Sequence, residues 1–334
     1  MSENASSTHI KTRILIISDT HGSRPKPKNK GGSSTEDEFK QKDVTNVVSG
    51  WRDPLPEADV AIHCGDLTKS TTVTEFEKTF SVLRSIKAPL KLAIAGNHDI
   101  ALDEDYWTHQ FRGKKETLDK VKEIVQKAEE DGVKYLTEGV YKFTLTNGAL
   151  LKVYASPWTP VYGGWAFQYK GGHEFDIPPG IDVALTHGPP HGICDFAGRT
   201  ATHAGCPDLL GAITRAKPKI HCFGHIHEAW GTNYVTWNGD EIDQGRSRKV
   251  GLEGLRPNRV TQNKEAAEVM RVKLIEMSKQ RAAHLDLTHG DSRLVPGEQT
   301  LFVNAAIMDV RYRPVQLPWL IDVDLEKAEQ STVV

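Results

Sequence analysis

Hydrophobic positions in this chain fall in short unbroken runs, each stopped by a small group of polar residues. After Arg13 the run Ile14-Leu15-Ile16-Ile17 leads through Ser18 into Asp19-Thr20-His21-Gly22. A run that is apolar at every position has no face for water, so it predicts a strand covered on both sides. The arrangement recurs: 58–63 leads into Cys64-Gly65-Asp66, 90–95 into Gly96-Asn97-His98-Asp99, 181–186 into His187-Gly188, and 220–223 into Gly224-His225-Ile226-His227. Between these runs, 72–86, 114–131 (closed by Gly132) and 206–216 (closed by Lys217-Pro218) carry helical spacing and helix stops. Strands alternating with helices predict an α/β protein. Residues 143–145, 150–155, 234–237, 301–305 and 319–323 read as further strands, some joined through the turn Asn147-Gly148, which predicts a second, partly antiparallel sheet.

Two segments interrupt the alternation. Residues 22–50 contain GSRPKPKNKGGSSTEDEFKQK, too rich in Pro, Lys, Gly and Ser to nucleate a core, and read as a flexible surface loop beside the first polar block. Residues 240–298 include a predicted helix over 264–284, and from Arg246 to Arg281 ten Lys or Arg stand against four Glu. Such an excess reads as a solvated insertion in preference to an anion-binding surface. With no internal repeat in view, the chain reads as one domain over 12–323 with insertions at 22–50 and 240–298, and tails at 1–11 and 324–334.

Composition narrows the class. Of 334 residues 38% are hydrophobic and 26% charged, enough apolar material for a large core. The formal net charge of −2 argues against a generally basic nucleic-acid binder and against a polybasic membrane protein. The polar N-terminal segment followed by the short ILIIS run does not read as a signal peptide or a membrane span. Cys64, Cys194, Cys206 and Cys222 show no C-x-x-C spacing and read as reduced thiols, so a cytoplasmic protein is expected.

The polar blocks carry the chemistry. Loops at the carboxyl ends of parallel strands open on one crevice, so Asp, Asn and His side chains from five strands should meet there. They bring two carboxylates, one amide oxygen and four imidazoles besides His98, with no thiolate among them. That is more than one ion needs, and a mixed N/O set of this size fits two divalent transition metals that share a carboxylate. A lone histidine at a strand end is more often a member of a satisfied polar network. Many ionisable groups gathered without counter-charge would instead cost folding energy that metal ions remove.

In order, ISDTHG, HCGDLT, GNHD, THGPP and FGHIHEAWG resemble the motif series of the calcineurin-like metallophosphoesterase superfamily. SPWTPVYGGWAF, GCPDLL and LFVNAA are similar to its metallophosphoesterase-domain-containing subgroup, which includes cyclic-nucleotide-phosphodiesterase-like members. The resemblance covers about residues 12–238 and 299–323. It implies a four-layer αββα sandwich, two mixed sheets flanked by helices. It also implies that Asp19, His21 and His227 hold a first metal, that Asp66 bridges, and that Asn97, His187 and His225 hold a second. Manganese is the expected ion, with iron or zinc as alternatives. In two-metal hydrolysis, ions roughly 3.5–4 Å apart clamp the phosphoryl oxygens and generate a bridging hydroxide for in-line attack. His98 would then protonate the leaving oxygen as general acid, with Asp99 orienting its imidazole.

The leading expectation is therefore a phosphodiesterase acting on a small phosphoester, a nucleotide or cyclic nucleotide, with no membrane partner. A phosphomonoesterase uses the same metals, and a non-catalytic metal-binding scaffold on this fold is a third reading. A nuclease is supported only by the basic insertion. No substrate-binding residue is assigned. His191 and His203 read equally as substrate contacts or surface histidines, His63 as an internal hydrogen-bonding group, and Trp158, Trp165 and Phe167 as packing more than nucleobase stacking. Thr288-His289-Gly290 repeats the letters of Thr186-His187-Gly188, but its order and context favour His187 as the ligand.

Overall fold

A computed structural model describes residues 8–27, 50–249, 277 and 280–329 of the chain. In chain order its main strands are β1 (His9–Ile17), β2 (Val60–His63), β3 (Leu90–Ala93), β4 (Val133–Tyr135), β5 (Gly139–Thr144), β6 (Leu150–Ser156), β7 (Val183–Thr186), β8 (Ile220–Phe223), β9 (Gly231–Asn238), β10 (Ala283–Asp286), β11 (Gln299–Asn304) and β12 (Trp319–Glu326). The α-helices are α1 (Val73–Ser85), α2 (Lys115–Glu130) and α3 (Pro207–Ala216). One sheet runs β10-β12-β1-β2-β3-β4, with β1 to β4 parallel and β12 antiparallel to β1. The other runs β9-β11-β8-β7-β6-β5, extended along β9 by Glu241–Ile242 and Arg248–Lys249. There β8 lies parallel to both β7 and β11, while β5 and β9 pair antiparallel with their neighbours.

The alternation inside β1 sets the layers. Ile14 and Ile16 point between the sheets, where they meet Ile62 and Leu92 from their own sheet and Val153, Val183, Leu185, Ile220 and Val303 from the other. Leu15 and Ile17 point the opposite way, under Phe76, Phe80 and Leu83 of α1 and Val121 of α2. On the far side Leu209, Ala212 and Ile213 of α3 cover Ala184, Phe223 and Phe302. The result is helix, sheet, sheet, helix, as expected, and a core position such as Leu15, with 0% exposure, contributes about 1.5–3 kcal/mol of burial.

Helix α1 begins on a capping box. Thr72 accepts from the Glu75 amide, and the Glu75 carboxylate accepts in return from the amides of Thr72, Ser70 and Lys69. One glutamate thus starts the helix and pins the loop that leaves Asp66. Phe76, Thr79, Phe80 and Leu83 recur at three- and four-residue spacing as the buried face.

The structure departs from expectation at the ends and in the second insertion. β1 starts at His9 and β12 runs to Glu326, its partner in register, so the expected tails supply strand residues at 9–11 and 324–326. Leu325 is fully buried, which explains why the sheet continues. The helix expected over 264–284 is seen at the described residues 277 and 280 but stops short of 284, because Ala283–Asp286 is a strand parallel to β12. There Ala283 is buried and His284 faces Asp322, an alternation of period two. The segment expected as an insertion therefore completes an edge of the first sheet. Residues 28–49 and 250–276 of the expected insertions lie outside the described residues. No helix among the described residues is long and apolar enough to cross a membrane.

Candidate metal centre

The carboxyl ends of β1, β2 and β3 in one sheet and of β7 and β8 in the other open on a common edge. Asp19, His21, Asp66, Asn97, His187, His225 and His227 follow those ends and are brought together there. Four of these residues take left-handed backbone: Asp19 (φ 52°), His21 (φ 46°), Asp66 (φ 54°) and His225 (φ 66°). Such conformations cost on the order of 1–3 kcal/mol each and persist only when neighbours impose them. The loops impose them on one another. The amides of Asp19 and His21 donate to the carbonyls of Gly65 and Asp66, at 3.0 and 3.1 Å, and the His225 amide donates to the Asp19 carboxylate at 3.0 Å. The glycines of the motifs allow the close approach: a Cβ on Gly224 would collide with the Asp19 carboxylate, and one on Gly96 with Asp66.

The ligand-type atoms fall into two groups that share a residue. Oxygen and nitrogen atoms of Asp19, His21, Asp66 and His227 lie within 4.8 Å of one another, as do those of Asp66, His187 and His225. Asp66 belongs to both, its Oδ2 standing 3.6 Å from His21 Nε2 and its Oδ1 3.4 Å from His187 Nε2. Asn97 joins the second group through Oδ1, 3.0 Å from His187 Nε2.

Backbone carbonyls fix which ring nitrogens face the crevice. His21 Nδ1 donates to the Thr68 carbonyl at 2.9 Å, His187 Nδ1 to the Cys64 carbonyl at 2.9 Å, and His227 Nδ1 to the Asp309 carbonyl at 3.1 Å. A carbonyl can only accept, so each Nδ1 carries the hydrogen and each ring turns its Nε2 toward the crevice, where it can ligate once it carries no proton. This is the support that ligating imidazoles use. His21 Nε2 and His227 Nε2 face each other across 3.3 Å, with Asp19 Oδ1 also 3.3 Å from His227 Nε2, so a proton or a cation at His227 Nε2 keeps the two lone pairs from opposing each other.

Electrostatics in the metal-free chain agree. Burial pushes the His21 and His225 imidazoles down to about 4. Burial also opposes charge on His227, but the hydrogen bond and charge of Asp19 overcome it and hold His227 up at about 9. Asp19 is held well below the usual carboxylate range: burial alone would raise it, and His227 reverses that. A proton on His227 thus stands where a cation would relieve the same lone pairs. Two carboxylates, an amide oxygen and four imidazoles, without thiolate, fit divalent transition metals.

His98 stands at the edge of this cluster, its ring 5.0 Å from that of His21. Its amide donates to Asp66 Oδ1 at 2.9 Å, its Nδ1 lies 2.8 Å from the Lys69 carbonyl, and its ring lies against Trp165 at 4.1 Å between centroids. The expected orienting role of Asp99 is not what the structure shows. Asp99 is fully buried, and its carboxylate accepts from the amides of Leu67, Thr68 and Gly96 and from the Thr68 hydroxyl, at 2.8–3.0 Å. It organises the loop behind the site, because four backbone and hydroxyl donors outcompete a single imidazole on the outer side.

The remaining candidates separate. His63 Nε2 hydrogen-bonds Thr20 inside the sheet at 2.8 Å, an internal role. His203 pairs with the buried Asp195 at 2.6 Å, with the His191 ring 5.9 Å from its own. Trp158 and Phe167 pack on each other, 5.8 Å apart. Thr288-His289-Gly290 follows β10, which runs antiparallel to β1, so it lies at the opposite edge of the sheet. Cys64 and Cys222 are fully buried, and none of the four cysteines is in a disulfide.

Sequence reasoning missed Asp309 and Tyr312. The Tyr312 ring stands 5.0 Å from His21, 5.4 Å from His227 and 6.3 Å from His98. A signal existed: β11 runs parallel to β8, so the loop after it opens on the same edge as Gly224-His225-Ile226-His227.

A family model described as calcineurin-like phosphoesterase matches residues 12–229. Metallophosphoesterase domain-containing protein 1 of Homo sapiens is 32% identical over 187 residues, which cover 53% of this chain and 56% of that protein. A UPF0046 protein of Caenorhabditis elegans is 29% identical over 193 residues, covering 53% of this chain and 48% of that one. The chain thus spans about half the length of these curated relatives. A probable rhamnogalacturonate lyase C of Emericella nidulans is 32% identical over 231 residues, 68% of this chain but only 18% of that protein. With the match extending over more than half of its length, the chain belongs to the calcineurin-like phosphoesterase family.

Proposed function

We propose that the chain is a dinuclear metal-dependent phosphodiesterase acting on a small nucleotide or related diester. One observation carries this reading: a single buried carboxylate, Asp66, faces both donor groups, which is the arrangement two adjacent ions require. Asp19, His21 and His227 would hold one ion, Asn97, His187 and His225 the other, with Asp66 between them and manganese as the ion in preference to iron or zinc. Bound there, divalent ions supply Lewis acidity toward a phosphoryl oxygen and lower the pKa of water.

The chain's own residues do the rest. Asp19 and Asp66 set the charge of the site, and the three carbonyls behind His21, His187 and His227 fix their rings. His98 holds a proton at Nε2 for the departing ester oxygen, its Nδ1 hydrogen spent on the Lys69 carbonyl. Its position outside both donor groups leaves that proton independent of ligation. The aromatic rings of Trp165 and Tyr312 near His98 offer faces on which the second organic substituent of a diester can pack, a group that a monoester lacks.

The test is a substrate panel. The protein, loaded with manganese, iron or zinc and assayed for metal content, is given cyclic nucleotides, linear diesters, monoesters and single-stranded nucleic acid. Turnover of small diesters is expected. Turnover of monoesters alone would make it a phosphomonoesterase, and two bound ions without turnover would make it a scaffold.

A further inference from the structure

The turn at 309–313 is built around one carboxylate. Asp309 Oδ1 accepts from the amides of Arg311 and Arg313, both at 2.9 Å, and Oδ2 from Arg313 Nε at 2.8 Å. The Asp309 main-chain carbonyl accepts from His227 Nδ1 and from the Tyr312 amide. Gln316 adds a hydrogen bond to the His227 carbonyl at 2.8 Å. The same turn therefore orients a ligand-type imidazole and projects Tyr312, at φ 56°, into the mouth of the site. Such a residue outside glycine needs an imposed conformation, and Asp309 imposes it.

Across the mouth, Lys69 has two parts with two partners. Its carbonyl takes the His98 Nδ1 hydrogen, and its ammonium lies over the Tyr312 ring, 4.3 Å from the centroid. Among the described residues no carboxylate forms an ion pair with it. The Trp165 ring also lies against His98, 4.1 Å between centroids. An ammonium held on an aromatic face beside a proton donor is placed for a charge on the group that leaves, not on the phosphoryl group that stays. We propose that Lys69 and Tyr312 form a leaving-group subsite that selects diesters whose departing alcohol carries its own negative charge, the class to which a phosphorylated nucleoside belongs. The proposal rests on the phosphodiesterase reading and on His98 marking the leaving-group side. Neither Lys69 nor Tyr312 belongs to either donor group, and residue 312 lies outside the 12–229 span of the family match.

Two synthetic diesters read it directly: methyl 4-carboxyphenyl phosphate, with an anionic leaving group, and methyl 4-acetylphenyl phosphate, with a neutral one. The quantity is the ratio of their kcat/KM values, so differences in intrinsic reactivity cancel between variants. The manganese-loaded wild type should favour the carboxylated ester over Lys69→Met by about fivefold in this ratio, the size expected of an exposed charge pair. The effect should fade with added salt. Lys69→Arg should keep the preference, and Tyr312→Ala, which removes the ring that carries the ammonium, should lose it. A ratio identical in wild type, Lys69→Met and Tyr312→Ala overturns the subsite while leaving the phosphodiesterase reading intact. Hydrolysis of neither ester by wild type with both ions bound overturns that reading and the subsite with it. Should Lys69→Met fail to fold, the comparison of wild type with Tyr312→Ala decides alone.

Discussion

His21 and His227 face each other nitrogen to nitrogen, Nε2 to Nε2 at 3.3 Å, while each spends its Nδ1 hydrogen on a main-chain carbonyl. Two lone pairs at that separation repel unless a cation or a proton lies between them. The first expectation follows. Prolonged chelation should abolish phosphoester hydrolysis, manganese should restore it, and metal analysis should find two ions per chain. Full activity in a verified metal-free preparation would rule out this reading of the site.

A carboxylate shared by both donor groups should matter more than a ligand of one. Asp66→Asn is expected to lower kcat at least about tenfold further than His21→Ala, since several kcal/mol of charge stabilisation are at stake. Metal content measured beside rate decides it. Two retained ions and a near-normal rate in Asp66→Asn would remove Asp66 from the bridging position.

His98→Ala should reduce kcat by about 10²–10⁴-fold while metal content stays at two ions, because the imidazole stands outside both donor groups. The loss should shrink for a diester with a weakly basic leaving group, whose oxygen needs no proton. Equal losses across leaving groups would show that His98 acts otherwise.

Asp99 is expected to be a stability residue. Asp99→Ala strands the amides of Leu67, Thr68 and Gly96 and the Thr68 hydroxyl in a buried place. The cost should reach about 3 kcal/mol or more, read as a lower urea midpoint. Unchanged stability with a kcat defect matching that of His98→Ala would restore the orienting role first expected from sequence.

Stability of the metal-free protein should depend on pH with a definite sign. Burial holds His21 and His225 at about 4 and His63 and His221 at about 3, below the ordinary 6.5. The unfolded chain takes up protons near pH 6.5 that the folded chain refuses. Stability present above pH 6.5 is therefore lost toward pH 4, by up to about 1.4 kcal/mol per pH unit for each ring that stays neutral. His227, raised to about 9, works the other way: its contribution is whole below pH 6.5 and disappears as pH rises through 9. Urea midpoints at pH 5, 7.5 and 9.5 should peak at the middle value. A midpoint that rises steadily on acidification would contradict these environments.

Much of this was legible in the chain because runs like Ile14 to Ile17 admit few interpretations. A strand apolar on both faces must lie between layers, and the residues that stop it must lie at its end. Asp19, His21, Asp66, Asn97, His187, His225 and His227 could therefore be gathered before any coordinates. Asp99 was misread because sequence adjacency to His98 says nothing of direction, and three amides lay behind it. Residues 283 and 284 were misread because a basic helical pattern running up to them concealed an alternation only four residues long. Tyr312 was missed because its turn bears no metal-type residue except Asp309, which uses its carboxylate on its own backbone.

β11 lies between β9 and β8 in one sheet, and β12 between β10 and β1 in the other. The final stretch of chain therefore supplies an inner strand to each sheet, although it contains none of the metal-type ligands. A single cut between residues 250 and 276 would leave a long fragment holding every ligand but two incomplete sheets. The short fragment would hold the missing strands together with the Asp309 carbonyl and Tyr312. Neither would hold a complete core, and each would offer the other open strand edges: β8, β9 and β1 in the long fragment, both sides of β11 and one side of β12 in the short one. Such a pair should behave as a split enzyme, silent when its pieces are separate and active once they reassociate.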